Sequence, residues 1–228
     1  MFDYQLKRSK RRKTVAIKVH RQLVTVYAPF YVSKEQINIW LQDKKNWVET
    51  QLQKQVNLLD TKQYPLNEKT IKIFSDTFQL QFEEGVHSTI KQECNTLKII
   101  NSTRVTNKTL KYKTLLEEFL TDKLTAYIEM RIAYYCELMT EALPENLRIR
   151  TYKRKWGSCN SKRELTFNLL LIGAPHTIID YVIVHELAHL RYLNHSDIFW
   201  QRVAQFYPEY KVASNWLSKN GESLQWVF

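Results

Sequence analysis

Apolar residues recur with two different periods along this chain, and the switches between periods mark its elements. Residues 14–19 and 23–27 alternate and are β-branched across a polar His20-Arg21-Gln22 turn, which predicts a β-hairpin. Ser33-Lys34-Glu35-Gln36 then reads as a capping box. Behind it Ile37, Trp40, Leu41, Trp47, Val48, Leu52 and Val56 keep helical spacing, predicting one long amphipathic helix broken by Tyr64-Pro65. Short alternating runs at 71–74, 78–82, 89–92 and 97–100 predict a small antiparallel meander. A second long helix is expected over 107–143, stopped by Pro144. Strands follow at 147–152 and 164–168, with a turn through Trp156-Gly157-Ser158-Cys159 between them. Pro175 suits the first turn of a third helix over 178–190. Helices over 197–207 and 209–219 finish the chain, the last closed by Asn220-Gly221. This order suggests an N-terminal region over 1–105 and a second region over 106–228.

Composition narrows the chemistry by exclusion. Four glycines in 228 residues, none close to another, rule out both glycine-rich nucleotide loops. Three scattered cysteines without a C-x-x-C pair exclude a disulfide framework and a cysteine zinc ribbon. No run reaches the ~20 apolar residues of a membrane helix, and the basic start lacks the apolar core of a signal peptide. The expectation is a cytoplasmic protein without membrane partners.

The strongest chemical signal is His185-Glu186-Leu187-Ala188-His189. Four residues apart on a helix, the two imidazoles project from one face and can share a metal ion. Glu186 lies about 100° round the helix, beside the pair, where a general base for a metal-activated water belongs. The apolar neighbours Val182, Ile183, Val184, Leu187 and Ala188 describe a helix buried on most sides, and a buried His-Glu-His set without a task would be costly. A catalytic metal needs a third protein ligand and an open position. His195 follows His189 by six residues. On a continuing helix its ring would sit about 9 Å further along the axis, so the helix must end between them, with Asn194 in left-handed geometry as the expected device. Metzincins show this spacing, but Tyr192 stands where they carry glycine. Glu209, about where thermolysin-like enzymes place their glutamate, is the rival ligand.

Trp156-Gly157-Ser158-Cys159, Asn168, the run from Asp180 through His185-Glu186-Leu187-Ala188-His189 to Leu190, Asn194-His195-Ser196 and Phe199-Trp200 together resemble the YgjP-like metallopeptidases, relatives of the SprT and WLM zincin-type proteases. The resemblance implies an α+β, zincin-like fold, with an active-site helix packed beside a small antiparallel sheet and an N-terminal β-rich and helical portion. It also implies one zinc ion on His185, His189 and His195, Glu186 as catalytic base, and a peptide or protein substrate. In zincins the strand beside the active helix receives the substrate, which makes Trp156 and Asn168 candidate substrate-binding residues, although Asn168 could equally cap the next segment. Asp197 is either a partner of a ligand imidazole or a first-turn carboxylate favoured by the helix dipole. Phe199 and Trp200 are expected to pack the following helix, and Cys159 to pack in its turn rather than act as a nucleophile.

The net charge of +11 is concentrated. Residues 1–21 carry +7, residues 148–163 carry another +7, and the remainder sums to −3. Lys153, Arg154 and Lys155 lie in the second window, interleaved with Tyr152 and Trp156, a mixture that single-stranded nucleic-acid binding uses. The expected function is a zinc-dependent hydrolase of the H-E-x-x-H metallopeptidase type, acting on peptide bonds, including those of nucleic-acid-associated proteins. The alternative is a nucleic-acid-binding accessory protein whose zinc site is mainly structural.

Overall fold

Three strands begin the computed structural model: β1 (Gln5–Ser9), β2 (Ala16–His20) and β3 (Leu23–Pro29). Residues 2–20, 23–60 and 62–228 are described, so Arg21 and Gln22 of the expected turn lie outside the described residues. The hairpin pairs antiparallel, Val19 opposite Val24, and β1 adds a parallel partner to β3. The hydrophobic pattern gave no sign of β1, because Gln5, Lys7, Arg8 and Ser9 leave it almost no apolar face. Val26 and Ala28 of β3 pack with Ile37 and Leu41 of α1 (Lys34–Asp43), and Val24 is buried on the same strand face. Ser33 caps α1 as expected: its hydroxyl accepts from the Gln36 N–H at 3.1 Å, and the Gln36 side chain accepts from the Ser33 N–H at 3.0 Å. The expected long helix is two, because Lys44 interrupts it with an i→i+3 bond to Leu41 at 3.2 Å before α2 (Lys45–Asp60) starts.

After the short α3 (Pro65–Glu68) come β4 (Thr70–Ile73), β5 (Asp76–Gly85), β6 (Thr89–Glu93) and β7 (Thr96–Ser102), in the spatial order β4-β5-β7-β6. They do not form a simple antiparallel meander, since β5 and β7 run parallel. The reason is burial. Leu97, Ile99 and Asn101 alternate inward along β7, so it takes a central place, while the polar β6 is left at the edge. The long helix α4 (Lys108–Met139) starts at Asn107, whose side chain accepts from the Leu110 N–H at 3.0 Å. It ends at Thr140 in left-handed geometry, φ 54°, before Pro144 is reached.

The last strands are β8 (Asn146–Arg150), β9 (Gly157–Cys159) and β10 (Glu164–Asn168), ordered β8-β10-β9. The stretch expected as a turn at 156–159 therefore contributes an edge strand. The small sheet is mixed, with β8 parallel and β9 antiparallel to β10. A 3₁₀ turn at Leu169–Gly173 leads into α5 (His176–Ala188), followed by α6 (Asp197–Phe206) and α7 (Tyr210–Asn220).

The chain divides into two compact units, Met1–Lys62 and Gln63–Phe228, rather than near residue 105. The four-stranded sheet belongs with the second unit because Ile71, Leu80, Leu97 and Ile99 share one core with Leu116, Leu120 and Leu124 of α4 and Ile183 of α5. Helix α5 is apolar almost all round, as a helix through the middle of a core must be. Of its two buried carboxylates, Asp180 and Glu186, the first is met by α4: Arg131 donates to both oxygens at 2.9 and 2.6 Å, and the Tyr127 and Tyr135 hydroxyls donate at 2.8 and 3.3 Å. That network fixes the register and rotation of α5, and so the direction in which its histidines point. Among the described residues, no helix is long and apolar enough to cross a membrane.

Candidate metal centre

Helix α5 carries Tyr181, His185 and His189 on one face, one turn apart. The chain leaves the helix just after Ala188 and returns as α6, which brings His195 back over the pair. One nitrogen from each of His185, His189 and His195 can be chosen so that all three lie within 4.8 Å of one another. The Nε2 atoms of His185 and His195 approach to 3.1 Å. Two ligand nitrogens on a tetrahedral zinc, each ~2.0–2.1 Å from it, stand about 3.3 Å apart, so this pair is close to ligand spacing. Glu209, the rival ligand, is at the exposed N-cap of α7 and outside this group.

The turn that brings His195 back is built without left-handed backbone. Leu190 N–H bonds Leu187 O at 3.0 Å, Arg191 N–H bonds Ala188 O at 3.2 Å, and Tyr192 N–H bonds Ala188 O at 3.0 Å. Neither Asn194 nor Tyr192 has positive φ. The expected role of Asn194 is thus not taken up, and a tyrosine is admissible where metzincins need glycine. His189 helps to close this turn, since its Nδ1 lies 2.9 Å from the Tyr192 carbonyl. That carbonyl can only accept, so Nδ1 carries the proton and the Nε2 lone pair faces the site, the tautomer a metal requires.

Phe199 is fully buried beneath the cluster, its ring centroid 5.0, 4.5 and 4.8 Å from those of His185, His189 and His195. Trp200 stacks on His195 at 5.5 Å and on Tyr210 at 5.3 Å. These contacts hold the rings without supplying competing donors. Burial and the two neighbouring imidazoles push the His185 ring down to about 3, and burial also lowers His189. Both are therefore neutral near pH 7, with lone pairs to offer. The Nδ1 of His185 is buried and, among the described residues, has no hydrogen-bond partner.

Glu186 is 4% exposed and lines a cleft of about 550 Å³ together with the three histidines. Burial pushes its carboxyl up to about 8, only slightly opposed by Lys155. A cation among the imidazoles would draw it back towards the ionised form. Its side chain lies against Gly157 of β9: a Cβ on that glycine would stand 2.5 Å from Glu186 Oε1 and 2.7 Å from its Cγ. The sequence showed Gly157 only as one of four scattered glycines, and its role as the wall behind Glu186 is visible only in the fold. The opposite wall of the cleft, Ser214, Leu217 and Ser218 of α7, also had no sequence signal.

The other candidates divide. Trp156 lines the cleft and is seated on Gly221, where a Cβ would come 2.6 Å from its ring. Asn168 is 2% exposed and outside this cleft, although it borders a smaller hollow beside it, and its side chain makes the capping contact of the alternative reading. Its Oδ1 accepts from the N–H groups of Tyr152 (3.3 Å) and Leu170 (3.2 Å), and its Nδ2 donates to the carbonyls of Tyr152 (3.0 Å) and Lys155 (2.8 Å). With every donor and acceptor engaged by its own backbone, it has nothing left for a substrate. Lys153, Arg154 and Lys155 are exposed on the loop it holds. Asp197 lies in the exposed first turn of α6. Cys159 lines the cleft, but burial pushes its thiol up to about 11, the opposite of an activated nucleophile.

A family model described as the YgjP-like metallopeptidase domain matches residues 13–220. Among solved structures the chain is similar to the metallopeptidase zymogen abylysin of Pyrococcus abyssi, at 23% identity and a TM-score of 0.38, over 40% of this chain and 93% of that one. No curated protein matches the chain.

Proposed function

Because the chain belongs to the YgjP-like metallopeptidase family, we propose that it is a zinc-dependent peptidase working through His185, His189, His195 and Glu186. The observation that carries this reading is the convergence of three imidazole nitrogens within 4.8 Å beside a buried carboxylate in an open cleft. When bound, zinc supplies a Lewis acid that polarises the scissile carbonyl and makes a water acidic enough to attack near neutral pH.

The protein's own residues do the rest. His189 is held in the correct tautomer by the Tyr192 carbonyl, and Phe199 and Trp200 fix the ring planes. Glu186 takes the proton of the attacking water at its carboxylate and passes it to the departing amine. Gly157 sets where that carboxylate stands. The strand β9 is an edge, so an extended peptide can add to it beside α5.

The test is Glu186→Gln, which keeps the side chain's shape and removes its basicity. Zinc content should match the wild type while peptide cleavage falls by about 10²–10⁴-fold, the usual worth of a positioned general base. A Glu186→Gln protein that retains zinc and full activity sinks the mechanism. His189→Ala should lose zinc itself, measured by elemental analysis.

A second reading, association with nucleic acid, is favoured by one observation in the N-terminal unit. The sheet face opposite the core presents Lys7 and Lys18 beside Tyr27 and Thr25, with the Arg12 guanidinium 4.9 Å from the Tyr27 ring. Binding of a single-stranded oligonucleotide that weakens steeply with salt would support it. No binding at low salt would remove it.

A further inference from the structure

The cleft does not end at the metal centre. Trp156, Leu217, Ser218 and Lys155 also border a second hollow of about 180 Å³, walled by the loop bearing Lys153 and Arg154. Both side chains are exposed, and among the described residues neither makes an ion pair or side-chain hydrogen bond. Glu222 also borders the hollow and pairs with neither. The loop is nonetheless firmly built. Asn168, almost fully buried, engages the Tyr152 and Lys155 carbonyls and the Tyr152 N–H, and its own N–H donates to the Trp156 carbonyl at 2.8 Å. A buried amide is thus committed to holding two unneutralised cations at one end of the cleft.

Two kinds of polyanion could answer such a loop, and two observations choose between them. Nucleic acid would need an open aromatic face for a base to stack on, but both aromatics bordering the hollow, Tyr152 and Trp156, are half-buried, and Gly221 is packed against the Trp156 ring. The hollow of about 180 Å³ also has the volume of about six waters at ~30 Å³ each, room for one side chain and less than a whole nucleotide needs. We propose that it is a subsite for an acidic side chain of the peptide being cleaved, a Glu or Asp near the scissile bond paired with Lys153 and Arg154. The inference rests on the peptidase reading above.

The experiment uses the full-length zinc-loaded protein and pairs of labelled peptides that differ only in Glu against Gln, scanned through the positions flanking the cleaved bond. Cleavage is read as kcat/KM and binding as fluorescence anisotropy on Glu186→Gln. With each exposed ion pair contributing a factor of about two to five, one Glu position should be preferred roughly five-fold or more, and less so at high salt. Lys153→Gln combined with Arg154→Gln should bring the ratio to about one, with fold and zinc content unchanged. Lys153→Glu should shift the preference towards the Gln peptide. Equal handling of every pair by an active wild type overturns this subsite and leaves the peptidase reading standing. If no peptide is cleaved, the peptidase reading fails, and the anisotropy still decides whether acidic peptides are preferred. A single-stranded oligonucleotide that outcompetes the acidic peptide, and is itself lost in the double variant, makes the loop a nucleic-acid site and also overturns the inference.

Discussion

Gly157→Ala tests the geometry of the centre more sharply than removal of a ligand does. The added methyl would stand 2.5 Å from Glu186 Oε1, 2.7 Å from its Cγ and 2.8 Å from its Cδ, against an ordinary contact of at least 3.4 Å. Something must yield by about 0.9 Å. The carboxylate oxygen could swing, but Cγ is tied to a helix buried on nearly every side, so the side chain has to leave its rotamer and carry its carboxylate off line. A misplacement of about 1 Å in a catalytic group costs roughly 10²-fold, and that loss is expected in kcat/KM. Overpacking of this kind adds about 1–3 kcal/mol of destabilisation, a fall in Tm of several degrees for a unit of this size. Zinc content should stay at the wild-type level, since no imidazole is touched. The assay is cleavage of a fluorogenic peptide alongside elemental analysis and thermal unfolding, repeated on a Glu186→Gln background. There the extra loss in activity should vanish, because the two changes damage the same group. Full activity in Gly157→Ala, or an equal loss on both backgrounds, would refute the reasoning.

Asp180→Ala leaves Arg131 charged and half-enclosed without its partner, and should cost about 3–5 kcal/mol in urea unfolding. Tyr127→Phe removes one bond of the same network and should cost only about 1 kcal/mol. A silent Asp180→Ala would mean that the network does not hold α5. Alkylation at pH 8 should label exposed Cys94 first and Cys159 far more slowly, because burial leaves little thiolate at a thiol pushed up to about 11. Rapid labelling of Cys159 would show the cleft wall to be open.

Much of the centre was legible because it is local. Two histidines four apart with a glutamate between them have one relative placement on a helix, and the buried character of α5 was written in its uninterrupted apolar neighbours. The third ligand is a matter of spacing, yet spacing does not say how the chain returns it to the site. Asn194 is a reasonable left-handed residue, but the chain turns by two i→i+3 bonds, one i→i+4 bond and a His189 contact instead. The strands were found as segments and not as sheets. Parallel pairing of β5 with β7 and of β8 with β10 depends on residues far apart in sequence, and the polar strand β1 exists only because β3 offers it an edge.

The sequence by itself determined where most of the helices lie, the Ser33 cap and the shared face of His185 and His189, consequences of spacings within a few residues, and its motifs carried the resemblance to the family. Only the tertiary structure decided that the division falls after Lys62, that Asn168 serves the chain rather than a substrate, and that Gly157 is the wall of Glu186. Each of those is a contact across at least a dozen residues. Such contacts are chosen by the burial of whole faces and the satisfaction of whole hydrogen-bond sets, and no local period encodes them.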